Sequence, residues 1–123
     1  MKWICALSFS LFATVAQADV VRSELKRADL TGTNMEVIIS VVQVPVGDGL
    51  PRHTHHGEEA VYVLEGATLE LLDGRQQPMS PGAATINVRD VPHAGFKVIG
   101  DRPLKLLTVH IVDKGKPLLE AAK

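Results

Sequence analysis

The chain has 123 residues and carries 13 basic and 14 acidic side chains, which gives a formal net charge of −1. This length suits one compact domain and is too short for two. Charges of both signs are scattered along the chain without a basic run, so nucleic acid is not an expected partner.

Residues 1–18 have the layout of a secretory signal peptide. Lys2 precedes an apolar run that ends in a small-x-small cleavage site at residues 16–18. The run is too short for a comfortable membrane span, although a membrane anchor is the alternative interpretation. We expect cleavage after residue 18 and a periplasmic or secreted mature protein without a membrane contact. Cys5 lies within the signal, which excludes thiolate ligands and thiol nucleophiles from the mature chain.

The remaining chain is predicted to form short strands separated by turns rich in glycine and proline. Residues 19–34 alternate imperfectly and could form an edge strand of this sheet or of a neighbour's sheet, while residues 113–123 could be a frayed tail or a final helical turn. The central domain, residues 35–112, is predicted to be all-β, most simply a jelly-roll barrel of antiparallel sheets. The predicted strands are 36–44, 60–64, 68–72, 83–88, 95–99 and 104–112.

One segment carries most of the functional signal, residues 47–66, which read GDGLPRHTHHGEEAVYVLEG. It places His53, His55 and Glu59 at separations of two and four residues. Side chains at even separations share one face of an extended strand. The spacing therefore predicts a metal site built on a β scaffold.

This segment resembles the first motif of the cupin superfamily, in which a glycine, a His-x-His pair, a glutamate and a second glycine stand at fixed spacings. Every fixed position is matched, from Gly47 to Gly66. The second cupin motif ends in a histidine after a proline, and residues 81–93 fit it. The resemblance implies a cupin barrel and makes His93 the fourth metal ligand.

The second motif departs from the usual cupin pattern at three positions. Many cupins carry a proline and then a glycine where this chain has Val88 and Asp90, and Lys97 replaces a common asparagine. None of these positions is a ligand. The departures concern the shape of the pocket mouth.

Three imidazoles and one carboxylate suit one divalent transition metal: iron, manganese, nickel, copper or zinc. In an octahedral field, four protein ligands leave two adjacent positions for water, dioxygen or substrate. Zinc held by all four ligands would instead form a closed, structural site.

For the other polar residues, alternation along the strands indicates only which side chains share a face of a strand. His56 and Glu58 have the opposite parity to the ligands and are predicted to face solvent. His110 is a candidate proton carrier if its strand face looks inward, but a solvent-facing histidine is the preferred interpretation. Arg89 could meet a substrate carboxylate, although an exposed arginine is the default, and Tyr62 receives no catalytic role.

The fold alone does not specify a reaction. Our sequence-based hypothesis is an exported metal-dependent dioxygenase of a small substrate, with Glu59 and His110 as candidate catalytic residues. The alternatives are a non-catalytic module that binds a small molecule, an anion or the metal, and a metal-dependent isomerase or lyase. A homodimer that covers the sheet edges is expected.

Overall fold

The computed structural model describes residues 19–123, and the predicted signal peptide at residues 1–18 lies outside the described residues. The described part of the chain is all-β, and within it no helix could cross a membrane. Its strands are β1 (Val21–Asp29), β2 (Met35–Val44), β3 (Gly49–Leu50), β4 (His53–Thr54), β5 (Gly57–Glu65), β6 (Ala67–Leu71), β7 (Gln76–Met79), β8 (Ala84–Asn87), β9 (Phe96–Ile99), β10 (Leu104–Asp113) and β11 (Glu120–Ala121).

The strands form two main antiparallel sheets and one small strand pair. The first sheet has the order β1-β2-β10-β5-β8 and the second has the order β3-β9-β6-β7. The small pair joins β11 to β4. Strands distant in sequence therefore lie side by side, which is the pattern of a jelly-roll barrel.

The inner face of the first sheet follows from strict alternation along β2 and β10. Every second residue of β10 from Leu104 to Val112 is buried, and β2 alternates in phase with it over its C-terminal half. The hydrophobic core lies between the sheets at one end of the barrel. Its buried members are Val42, Val44, Val63, Ala67, Leu69, Val98, Leu104 and Leu106.

The register of the first sheet sets inward residues in transverse rows. One row holds Ile38, His110, Glu59 and Asn87, on β2, β10, β5 and β8. The adjacent row holds Ser40, Thr108, Val61 and Thr85, in the same strand order. Apolar side chains fill the far end of the barrel, so the polar rows are collected at the other end.

The predicted strands are confirmed, each within three residues at its ends. The short strands β3, β4, β7 and β11 were missed, because segments of two to four residues carry too little alternation to be recognised. Residues 19–34 contain β1, which pairs with β2 of the same chain. The expectation of a frayed tail or helical turn at residues 113–123 is wrong, because β11 pairs there with β4.

Gly57 allows β5 to approach β10 closely just before Glu59. A Cβ atom at this position would lie 1.9 Å from the carbonyl oxygen of Ile111 and 2.7 Å from the Cα atom of Val112. We therefore expect Gly57→Ala to lower the free energy of unfolding by about 3 kcal/mol or more, since backbone atoms must move apart. Chemical denaturation measures this loss.

Gly32→Ala is the matched control. Gly32 has a φ of +79° but open space around its Cα atom, so its substitution should cost only about 1–2 kcal/mol for the left-handed backbone. Equal losses in the two variants would contradict the close approach at Gly57.

Candidate metal centre

The structure brings the four predicted ligands together. His53 lies in β4, His55 in the following turn, Glu59 in β5 and His93 in the loop between β8 and β9. One candidate ligand atom from each residue lies within 4.8 Å of the other three. The first three residues are buried and His93 is partly exposed. We call these four residues the ligand cluster.

Backbone carbonyl groups hold each histidine of the cluster through its Nδ1 atom. His53 donates to Pro51 O at 2.7 Å, His55 to Leu118 O at 2.5 Å, and His93 to Val91 O at 3.0 Å. A carbonyl oxygen can only accept, so Nδ1 must carry the hydrogen in each ring. In the neutral rings, Nε2 is therefore the atom with the free lone pair, which is the arrangement that metal-binding histidines require.

These Nε2 atoms point at one another. The Nε2 atoms of His53 and His55 are 3.2 Å apart, and Nε2 of His93 is buried without a hydrogen-bond partner. Facing lone pairs repel unless a cation lies between them. The donor set therefore fits a divalent metal ion, which His53, His55, Glu59 and His93 would hold.

The two oxygens of Glu59 face different neighbours. Oε2 lies 3.1 Å from Nε2 of His55 and 3.3 Å from Nε2 of His93, and it accepts a hydrogen bond from Asn87 at 2.9 Å. Oε1 instead faces His110. Burial alone would raise the pKa of Glu59, but the contacts with His110 and Asn87 outweigh it and hold that pKa well below its ordinary value. Glu59 is thus an anion across the ordinary pH range.

His110 corrects the preferred sequence interpretation, which placed it in solvent. The residue is completely buried, and its Nε2 lies 3.3 Å from Oε1 of Glu59. Its ring centroid is 4.6 Å from that of His55. Neither of its ring nitrogens makes a hydrogen bond of good geometry. Burial lowers the pKa of His110, and the neighbouring Glu59 opposes this shift.

The remaining candidates lie outside the ligand cluster. Arg89, whose default interpretation was an exposed arginine, is partly exposed and makes a bidentate ion pair with Asp113, with both distances 2.9 Å. This ion pair occupies the group that the alternative interpretation assigned to a substrate carboxylate. His56 is partly exposed and contacts Glu120 at 2.8 Å. Tyr62, which received no catalytic role, is exposed. Glu58, predicted to face solvent, has intermediate exposure.

A cavity of about 230 Å³ opens onto the ligand cluster between the two sheets. His53, Glu59 and His93 form its polar end together with Asn87. Its volume lies below the usual range for drug-sized ligands, so it suits a small molecule. Its other walls are mostly apolar and include Val42, Leu50, Val61, Leu69, Leu71, Met79, Phe96, Leu104 and Leu106.

Three polar neighbours of the site were missed by sequence reasoning. Asn87 supports Glu59, Arg22 lines the cavity, and Leu118 supplies the carbonyl oxygen that holds His55. Asn87 lies on the predicted strand 83–88, so alternation along that strand could have indicated its inward position. A backbone carbonyl group 63 residues away from His55 leaves no signal in the sequence.

The family model described as "Cupin domain" matches residues 40–110. No curated protein matches the sequence.

Three solved structures illustrate the similarity. The polyketide cyclase RemF from Streptomyces resistomycificus is 26% identical with a TM-score of 0.63, over 85% of this chain and 72% of that one. An uncharacterised double-stranded β-helix protein from Klebsiella pneumoniae is 18% identical with a TM-score of 0.63, over 88% and 89%. The DMSP lyase DddQ from Ruegeria pomeroyi is 21% identical with a TM-score of 0.63, over 85% of this chain and 52% of that one, so this chain spans about half of its length.

The buried histidines predict a pH dependence of the chelator-treated protein. Burial lowers the pKa values of His53 and His110 from the ordinary 6.5, so the unfolded chain binds more protons than the folded protein as the pH falls below about 6.5. Stability is then constant above this pH and declines below it. We expect the Tm to fall between pH 6.5 and 5, by about 4–8 °C for each 1 kcal/mol lost.

His110→Gln should flatten this decline, because it removes one of the two shifted groups. Differential scanning calorimetry of both proteins from pH 8 to 5 measures the effect. A wild-type Tm that stays constant or rises toward pH 5 would contradict the assignment.

The contact between Leu118 and His55 predicts that the C-terminal segment supports metal binding. Removing residues 117–123 eliminates the carbonyl group that holds Nδ1 of His55, together with β11. We expect the dissociation constant for a divalent metal to rise about 10- to 100-fold, as for loss of other groups that orient a ligand. Competition with a chromophoric chelator measures it.

Glu120→Gln is the control for this deletion. It weakens the exposed contact with His56 but leaves the backbone of β11 and Leu118 in place. Its metal affinity should stay within about twofold of wild type. An unchanged affinity in the deletion variant would show that Leu118 does not support the site.

Proposed function

We propose that this chain, which belongs to the cupin domain family, is a metal-dependent enzyme that moves a proton on a small substrate, as a lyase, isomerase or cyclase does. The observation that carries the proposal is the convergence of three Nε2 atoms and one carboxylate oxygen at the polar end of a small cavity. His53, His55, Glu59 and His93 would hold one divalent ion. When bound, that ion would polarise a substrate oxygen as a Lewis acid.

The described residues around the cluster supply the proton-handling part of this function. Glu59 and His110 form a buried carboxylate–imidazole pair, with Oε1 and Nε2 3.3 Å apart. Asn87 donates to Oε2 and so fixes which oxygen faces His110. A proton taken up at Oε1 of Glu59 can pass to the nearby Nε2 of His110, which has no hydrogen-bond partner of good geometry.

The cavity positions the substrate and limits its size. Its apolar walls exclude much of the water, which strengthens electrostatic interactions at the polar end. The similarity to a polyketide cyclase at 26% identity supports this class of reaction, whereas the DMSP lyase, at 21% identity, shares only the fold. These two names do not extend to a substrate for this chain.

A dioxygenase, our sequence-based hypothesis, is the second candidate. The ligand set and the mostly apolar walls favour it, since four protein ligands would leave positions for substrate and dioxygen. The two candidates differ in whether oxygen is consumed. The non-catalytic binding module predicts neither proton exchange nor oxygen uptake.

Hydrogen exchange separates these candidates. The metal-loaded protein is mixed with pyruvate or acetoacetate in D₂O without oxygen, and NMR follows the loss of the proton signal next to the carbonyl group. We expect faster loss than with chelator-treated protein. No acceleration, with oxygen uptake in air, would favour the dioxygenase, and reversible binding alone would favour the binding module.

Export and assembly belong to the same proposal. We propose that the mature protein acts in the periplasm or outside the cell, on the basis of residues 1–18. We also propose a homodimer, because the outer face of the first sheet exposes Tyr62, Leu64 and Ile86.

The metal assignment predicts a contrast between two adjacent histidines. We expect His55→Ala to lower metal content at least about tenfold at limiting metal, because it removes a ligand and the group that faces His53. The Tm of the metal-treated variant should then stay close to its Tm in chelator, since bound metal stabilises only the folded state. Elemental analysis and calorimetry measure both.

His56→Ala is the matched control, because its ring contacts Glu120 outside the cluster. It should retain metal and the metal-dependent rise in Tm. Full metal content in His55→Ala would remove the basis of the proposed function.

A further inference from the structure

Arg22 is the second residue of β1 and lines the cavity that opens onto the ligand cluster. It is paired in register with Val42, whose side chain is buried on the inner face of the sheet. Its Nη1 atom donates to the hydroxyl oxygen of Thr108 at 3.2 Å. The guanidinium group therefore reaches into the barrel from its edge strand.

The charge of Arg22 has no ion-pair partner in the described part of the chain. Three other arginines, Arg27, Arg75 and Arg89, each contact a carboxylate group at 2.9 Å or less. Arg22 is partly buried whereas Arg27 and Arg75 are exposed, yet its one side-chain hydrogen bond goes to a neutral hydroxyl group. A guanidinium stays charged in proteins and carries five N–H donors. Most of these donors have no partner among the described residues, and the side chain lines the cavity.

The sheet register sets the distance between this charge and the ligand cluster. Thr108 and His110 are two residues apart on the inner face of β10, and His110 is paired with Glu59. Two residues of a strand span about 7 Å. Arg22 therefore holds a positive charge about one row from the metal-binding residues, within the length of a molecule of four to six heavy atoms.

The balance of charge points to an anionic occupant. Among the described residues that line the cavity, Arg22 is the only lysine or arginine and Glu59 is the only carboxylate. A divalent ion would add its charge to an otherwise balanced pair, leaving an excess of two positive charges in an enclosure with mostly apolar walls. Such an excess of charge beside apolar walls favours an anionic occupant over a neutral one.

We propose that Arg22 is the specificity-determining residue of this cavity and that it binds the carboxylate of a small aliphatic acid. The other end of that acid, an oxygen such as a carbonyl or hydroxyl group, would face His53, Glu59 and His93. This inference rests on the proposed function for the role of that second end, but the Arg22–carboxylate contact needs no metal. The hydrogen bond to Thr108 holds the guanidinium at the wall of the cavity.

The test uses butanoate as the probe and butanamide as its neutral counterpart. Both are titrated into ¹⁵N-labelled, chelator-treated protein, and NMR chemical shifts give the dissociation constants. We expect butanoate to bind at least about tenfold more tightly than butanamide, since a charged hydrogen bond is lost with the amide. The Nε–H signal of Arg22 should move with butanoate and stay in place with butanamide.

Substitution then assigns the effect to Arg22. Arg22→Gln should weaken butanoate binding about 10- to 100-fold and leave butanamide binding unchanged. Arg75→Gln removes the same charge from an exposed turn and is the matched control. It should bind butanoate as the wild type does.

Several results would overturn the inference. These are equal affinities for butanoate and butanamide, an unchanged affinity in Arg22→Gln, or equal losses in Arg22→Gln and Arg75→Gln. If Arg22→Gln does not fold, the wild-type protein still tests the inference. An Arg22 Nε–H signal that does not shift on addition of butanoate would overturn it.

Measurements with and without metal keep this inference separate from the proposed function. Butanoate binding that needs Arg22 in the chelator-treated protein supports the inference even if no metal binds. Metal binding without such a site supports the ligand cluster and overturns the role of Arg22.

Discussion

Three hydrogen bonds from histidine Nδ1 atoms to backbone carbonyl groups orient the ligand cluster of this protein. They turn the Nε2 atoms of His53, His55 and His93 toward one another, and a carboxylate oxygen of Glu59 lies beside them. Each bond costs little, because the carbonyl groups need partners in any case. Together they leave a set of lone pairs that is unfavourable without a cation and favourable with one. The site is thus set up by the backbone before any ion arrives.

The sheet register extends this arrangement into the cavity. Because β10 lies between β2 and β5, its inward residues bring an imidazole to Glu59 and a hydroxyl group to Arg22. The core at the far end of the barrel keeps the register in place, since a slip by one residue would turn the apolar face of each strand toward solvent. Packing of the apolar core at one end of the barrel therefore fixes the positions of the polar side chains at the other end.

Local alternation was sufficient to predict the main strands, and the spacing of His53, His55 and Glu59 was sufficient to predict that these three side chains converge. The three residues lie in β4, a turn and β5 and not on one continuous strand. The fourth member of the cluster came from the resemblance to the second cupin motif. His110 was misplaced because alternation shows which residues share a face but not which face looks inward. Its strand is apolar on both faces, so polarity did not decide the orientation. Arg22 and Leu118 were out of reach for a different reason. Their contacts with Thr108 and His55 span 86 and 63 residues, and only the fold brings them together.

The contact between Leu118 and His55 also bears on the order in which the molecule matures. During synthesis, the segment from His53 to Glu59 emerges long before residue 118, and the histidine pair is exposed in an unfinished sheet. The central strand β10 lies between β2 and β5, both of which it follows in the chain. The later strand β11 pairs with β4, and Leu118 just before it accepts the hydrogen bond that orients His55. The full orientation of the ligand cluster therefore needs residues 118–121, and a nascent chain that lacks them would hold a metal ion more weakly.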